Sequence, residues 1–264
     1  MYSTITTHLS DGILQITINR PDQLNALNKH VFDDLDSVMQ EVYLNDDIKS
    51  AFIIGAGSKS FVAGADIKEF SSYNKEEAID LSKRGQAVFF KIENCPKPII
   101  AAVNGFALGG GCELAMACHL RICSEQAKFG QPEVNLGLIP GYGGTQRLTQ
   151  LIGKAKSLEL QMTAQIIDAT EAERLGLVNH ITTTDNLIPK TIELLQTILS
   201  KAPVAIGKII ECVNTAVLSD SAYTNGKSGY EKESEAFGDC FTTEDMKEGT
   251  TAFIEKRKPT FKGK

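Results

Sequence analysis

Apolar and polar positions alternate along Ile13–Asn19, with Leu14, Ile16 and Ile18 on one face and Gln15, Thr17 and Asn19 on the other. That period predicts a half-buried β-strand, and the Asp11-Gly12 pair before it predicts a hairpin turn. The period then lengthens, because Val31, Leu35, Val38, Met39 and Val42 recur at helical spacing. "AFIIGAG" and "PIIAAVNG" are short apolar runs that read as buried strands. Between them, Asn74 with Glu77 three residues later has the form of a capping box, opening a helix through Phe89 and Ile92. After about Pro140 the pattern turns helical. Helices are expected in "TQRLTQLIG", from Thr170 with Glu173, around Leu187 to Leu199, after Pro203, and from Thr243 to Lys258. Strands separated by helices imply βα-type units with a largely parallel sheet, followed by a helical C-terminal portion. No linker, low-complexity tract or short-period repeat interrupts the chain.

Composition adds bounds. The 264 residues are 42% hydrophobic and 23% charged, enough for a large core in one domain or in a main domain with an appendage. A net charge of -6 argues against a nucleic-acid or anionic-membrane binder. The tail is the exception: five of its last nine residues are Lys or Arg, which reads as a solvated surface or as a contact for an anionic ligand. No apolar run approaches the ~18 residues of a membrane span. The start, "MYSTITTHLSDGI", shows neither a secretory nor an amphipathic leader. The expected location is therefore the cytoplasm, and a matrix chain already stripped of its leader would read the same. The six cysteines include no CxxC pair, and Cys118, His119 and Cys123 fit no zinc spacing, so buried free thiols and no metal are expected.

"GFALGGGCELAMA" raises the chemical question. Three glycines lead from a strand into a short helix, and Glu113 sits in its first turn among apolar residues. The first N–H groups of a helix have no intrahelical partner and lie at the positive end of its dipole, where they stabilise an oxyanion. Glu113 there reads either as a general base or as a glutamate that merely caps N–H groups. The glycines do not make a dinucleotide fingerprint, since Leu114 takes its last position, and "GAGSKS" lacks the third glycine. A second carboxylate, Glu133, lies in "FGQPEVNLGLIPGYGGTQRL" among few other charges. Two carboxylates in apolar, glycine-rich settings suit acid/base work on one substrate. They would suit a glycosidase as well, but the chain has no Trp for a sugar platform.

"INRPDQLNALN", "SFVAGADIKEF", "AAVNGFALGGGCELAMAC", "KFGQPEVNLGLIPGYGGTQRL" and "EGTTAFIEKRKPTFKGK" together resemble the enoyl-CoA hydratase (crotonase) family from end to end. The resemblance implies an α/β crotonase (ClpP/crotonase-like) fold, a spiral of ββα units with a C-terminal helical trimerisation region. It places the core with the active site in residues 1–195, and a helical region for oligomerisation and coenzyme A contact in 196–264. It further implies that the N–H groups of Ala65 and Gly110 form an oxyanion hole for a thioester carbonyl. Glu113 would then act as base while water oxygen adds at C3, Glu133 would deliver a proton to C2, and the Gly141 N–H would help position the water. Ala63, Ala65, Asp66, Ile67 and Lys68, with Leu24, would contact coenzyme A. Phe253 and Lys256 match C-terminal positions that reach the coenzyme, often in a neighbouring subunit.

The implied activity is syn hydration of trans-2-enoyl-CoA in fatty-acid β-oxidation. The substrate brings its own coenzyme A, no further cofactor is needed, and the oligomer is a trimer or a dimer of trimers. Isomerases of this fold typically lack one of the two glutamates, which favours a hydratase here. The alternatives are an enoyl-CoA isomerase, a specialised hydratase of another degradation pathway, or a catalytically silent scaffold that binds coenzyme A or RNA. Two positions depart from the pattern. His119 stands where relatives often carry Asp and reads as a packing or surface change. Tyr142 either trims the acyl pocket or lies beside it.

Overall fold

The computed structural model of the chain describes residues 2–218, 223–224 and 227–264. Two compact units divide it: residues 1–93 with 99–192, and residues 94–98 with 193–264.

The first unit opens with strands β1 (Ile5–Ser10) and β2 (Ile13–Ile18), paired antiparallel with Ser10 facing Ile13. The two linking residues, Asp11 (φ 51°) and Gly12 (φ 77°), are both left-handed, as a two-residue turn must be to match the strands' twist. Helix α1 (Lys29–Leu44) then buries Val31, Leu35, Val38, Met39 and Val42, and the Asn28 side chain caps it by accepting from the Val31 N–H.

From there successive strands fall alternately into two sheets. β3 (Ser50–Gly55), β5 (Ile99–Val103), β7 (Leu120–Ser124) and β10 (His180–Thr182) extend the first sheet in the order β1-β2-β3-β5-β7-β10, parallel from β2 onward. β4 (Ser60–Val62), β6 (Phe106–Leu108) and β8 (Lys128–Gly130) form a second sheet, parallel to one another and closed by an antiparallel β9 (Ile167–Asp168). Helices follow each pair: α2 (Ile67–Phe70) and α3 (Lys75–Glu93) after β4, and α4 (Gly110–Ala117) after β6. After β8 come α5 (Gly144–Ile152) and α6 (Lys154–Thr163). This is the spiral of ββα units that the sequence led one to expect.

The Asn74/Glu77 box forms in full, each side chain accepting the other's backbone N–H at 3.0 and 2.8 Å. At helix α7 (Ala169–Arg174) the start lies elsewhere than expected. Asp168 is the cap, accepting from the Glu171 N–H at 2.9 Å, and Thr170 is already helical. Aspartate is the stronger cap, and the end of β9 holds it extended.

Helix α8 (Leu187–Leu199) leads in sequence to α9 (Pro203–Leu218), α10 (Gly229–Cys240) and α11 (Glu244–Glu255) of the second unit. Thr243 caps α11, accepting from the Met246 N–H at 3.1 Å, and left-handed Lys256 ends it short of Lys258. The sequence reading has no counterpart to α10, in which Ala236 alone is buried, so no apolar period marks it. Among the described residues no helix is long and apolar enough to cross a membrane.

Candidate active site

The second sheet builds the site. β4, β6 and β8 lie side by side and parallel, so the chain leaves all three at one edge, where ligands of parallel α/β sheets bind. Ala65 follows β4, Gly110 follows β6 and Glu133 follows β8 by at most three residues each. A Cβ placed on Gly109 would lie 2.7 Å from Glu133 Oε1 and 3.8 Å from the Cα of Gly64, so the three chain exits meet around Gly109. Among the described residues no hydrogen bond uses the N–H of Ala65, whose neighbours pair with Leu27: Leu27 N–H donates to Gly64 O and Asp66 N–H to Leu27 O. The N–H of Gly110, in the first turn of α4, is likewise unpaired there.

The glycine triplet serves separate ends. Gly109 has φ 50° and ψ -123°, a conformation closed to L side chains. A Cβ on Gly111 would stand 1.9 Å from the carbonyl oxygen of Val62, so only glycine lets α4 seat against β4.

Glu113 is 1% exposed. It does not cap its own helix. Its Oε1 accepts from the N–H groups of Tyr142 and Gly144, at 2.8 and 2.7 Å, across the loop before α5. Burial pushes its pKa up to about 7; the charge of Glu133 adds to this, while the two N–H groups and Arg147 pull the other way. A carboxyl tuned near neutrality is suited to general base catalysis. The loop itself is braced. Arg147 donates from Nη1 to the Tyr142 carbonyl at 2.9 Å and pairs through Nε and Nη2 with Glu93 at 3.1 and 2.8 Å.

Glu133 opens a short 3-10 turn and is only half-buried. Burial raises its pKa as well. The amide of buried Gln131 lies against Glu133, and when its nitrogen faces an ionised carboxylate it donates to both oxygens at 3.0 and 3.1 Å. Sequence reasoning missed Gln131, Arg147 and the two loop N–H groups. Nothing in the primary pattern tells a backbone donor where it will point.

The Gly141 N–H makes no hydrogen bond among the described residues. Leu24 is left-handed (φ 49°) and its carbonyl accepts from the Ala63 N–H at 3.1 Å, which brings it beside the 63–68 segment. Asp66 there is ion-paired with Arg20 at 3.1 Å, while Ile67 and Lys68 are exposed on α2. Phe253, on α11, and Lys256, at its end, are exposed residues of the second unit.

His119 is internal. Its Nδ1 accepts from the Ile99 N–H at 2.9 Å, so Nε2 carries the proton toward the Glu93 carbonyl at 3.1 Å, and burial lowers its pKa to about 4. The Tyr142 ring is buried between Phe32 and Phe89, with centroids 5.0 and 5.9 Å away, and backs onto Gly110. Cys95, Cys112, Cys118 and Cys123 are buried free thiols, and Cys212 and Cys240 are partly exposed ones. The described residues hold no cluster of three or more side chains suited to a metal.

Two carboxylates beside N–H groups unpaired among the described residues, at one end of parallel strands, make this the candidate site for acid/base chemistry. Residues 8–264 match the model of the enoyl-CoA hydratase/isomerase family, and the chain belongs to that family. It is 48% identical over 243 residues to the short-chain-enoyl-CoA hydratase of Clostridium acetobutylicum, covering 92% of this chain and 91% of that one. It is 45% identical over 262 residues to the crotonyl-CoA hydratase of Syntrophomonas wolfei, covering 98% of each. The crystal structure of an enoyl-CoA hydratase from Bacillus anthracis superposes with a TM-score of 0.92 at 35% identity, over 99% of this chain and all of that one. The fold is the crotonase fold, and the chain is an enzyme of the lyase class.

Proposed function

We propose that the protein adds water reversibly and syn across the double bond of a trans-2-enoyl-CoA, giving a 3-hydroxyacyl-CoA. The observation that carries this reading is that buried Glu113, on the helix that Gly110 opens, lies within electrostatic reach of Glu133, whose Oε1 sits against Gly109. The thioester carbonyl would accept from the N–H groups of Ala65 and Gly110, which stabilises the enolate as it forms. A water held between the carboxylates, oriented by the Gly141 N–H, would give a proton to Glu113 while its oxygen bonds to C3. Glu133 would supply the proton to C2, and the raised pKa of its carboxyl supports that role. Leu24 with Ala63, Ala65, Asp66, Ile67 and Lys68 would hold coenzyme A, joined by Phe253 and Lys256 in a trimer or dimer of trimers. Coenzyme A arrives on the substrate and no other cofactor takes part. Fatty-acid β-oxidation in the cytoplasm is the setting that fits this chemistry.

The test follows loss of enoyl-thioester absorbance with crotonyl-CoA and with a longer 2-enoyl-CoA. Wild type should be fast, and Glu113→Ala and Glu133→Ala should each be slower by at least ~10². An inert wild type on both thioesters overturns the reading. A 3-enoyl-CoA converted only to its 2-enoyl isomer would make the protein an isomerase.

A further inference from the structure

Helix α3 contributes no group to the proposed reaction, yet one of its faces is pressed against the loop that holds Glu113. Ser82, Gly85, Gln86 and Phe89 are spaced so as to share that face. Ser82 Oγ donates to the carbonyl oxygen of Gly141 at 2.5 Å, and Gln86 Nε2 donates to the same oxygen at 3.1 Å and to Ser82 Oγ at 3.3 Å. The Gly141 carbonyl and the Tyr142 N–H belong to one planar peptide. The N–H end of that peptide donates to Glu113 Oε1 at 2.8 Å. Two donors on its oxygen therefore polarise the N–H that grips the carboxylate, since hydrogen bonds in a chain strengthen one another in a low dielectric. They also block a flip of the peptide, which would turn a carbonyl oxygen toward Glu113.

We propose that Ser82 and Gln86 are positioning residues for Glu113, holding and polarising the Gly141–Tyr142 peptide so that its N–H stays aimed at Oε1. Glu113 also faces Glu133 from the turn after β8, Arg147 from α5, Cys112 on its own helix and the Tyr142 phenol; among the described residues, Ser82 and Gln86 share no hydrogen bond with the side chains of these groups. Only the kinetic readout of this proposal rests on the role given to Glu113 above.

The experiment compares Ser82→Ala, Gln86→Met and the conservative Ser82→Thr in the full chain. Infrared difference spectra, each protein against its own Glu113→Gln counterpart, read the titration of Glu113 without substrate. Rates with crotonyl-CoA across pH read the acidic limb of kcat/KM. Ser82→Ala and Gln86→Met should each raise the Glu113 midpoint by half to one pH unit, a ~3- to 10-fold gain in proton affinity. The acidic limb should move with it, KM should change little, and Ser82→Thr should restore the wild-type midpoint. An unmoved midpoint in both variants overturns the proposal, even if activity falls. If Ser82→Ala does not fold, Gln86→Met decides alone. A shifted midpoint in a protein without hydratase activity would keep this relay and remove the proposed function, and a fixed midpoint in an active hydratase would do the reverse.

Discussion

Glu113 and Glu133 meet at one edge of the second sheet but are held in opposite ways. Glu113 stands on a regular helix, almost wholly out of water, with two backbone donors and a braced loop around it. Glu133 starts a 3-10 turn, keeps part of its surface in solvent and is held by one amide side chain. The difference teaches that a carboxylate poised near neutral pH needs a rigid dry wall. Glu133, with a pKa raised less by burial, sits at the rim.

The largest break in this contrast should come from Arg147→Met. That change removes the Arg147 side of a nearly buried ion pair with Glu93. Losing one member of such a pair costs about 3–5 kcal/mol, so thermal unfolding should drop by about 10 °C. Activity should fall in the surviving protein because the Tyr142 carbonyl is released. An unchanged melting temperature would show that the loop is not braced from this side.

Next in size is the stability stored against Glu113. In the fold it keeps its proton up to about pH 7, whereas its ordinary value is 4.5. The folded state thus binds more protons between those values, and stability falls as pH rises through them. Above pH 7 the full cost, at most about 3 kcal/mol, is in place. Glu113→Gln keeps an acceptor for both N–H groups and should therefore melt several degrees higher at pH 8, with almost no gain at pH 4.5. Glu133→Gln should change much less at either pH. Equal gains for the two would erase the distinction between dry wall and rim.

The smallest effect sharpens it. Kcat/KM should rise with pH through about 7 as Glu113 ionises. Gln131→Met removes the amide beside Glu133 and none of the N–H groups that Glu113 accepts from, so the limb near pH 7 should stay in place. Movement of the acidic limb would mean that Gln131 serves Glu113 instead.

Much of the architecture was legible because long periods are hard to mistake. The alternation at Leu14, Ile16 and Ile18, the helix of Val31 to Val42 and the Asn74/Glu77 box all express local physics. The second sheet was not legible as a sheet. β4, β6 and β8 have three residues each, too few to show alternation, and they exist through pairing with chain that is distant in sequence. Glu113 and Glu133 stood out because charge is unexpected in apolar surroundings. Gln131, Ser82 and Gln86 did not, since uncharged polar residues are ordinary anywhere. At α7, two overlapping cap patterns competed, and the end of a two-residue strand decided between them.

The seat of Tyr142 ties two distant positions in sequence together. A Cβ on Gly85 would fall 2.2 Å from the tyrosine's Cδ1, so the ring occupies the volume that any side chain on that turn of α3 would need. In the history of such a chain, residue 85 can grow only after residue 142 has shrunk. A library that varies residue 85 alone samples mostly broken proteins. Varied as a pair, the two become a single adjustable spacer between α3 and the peptide that feeds Glu113.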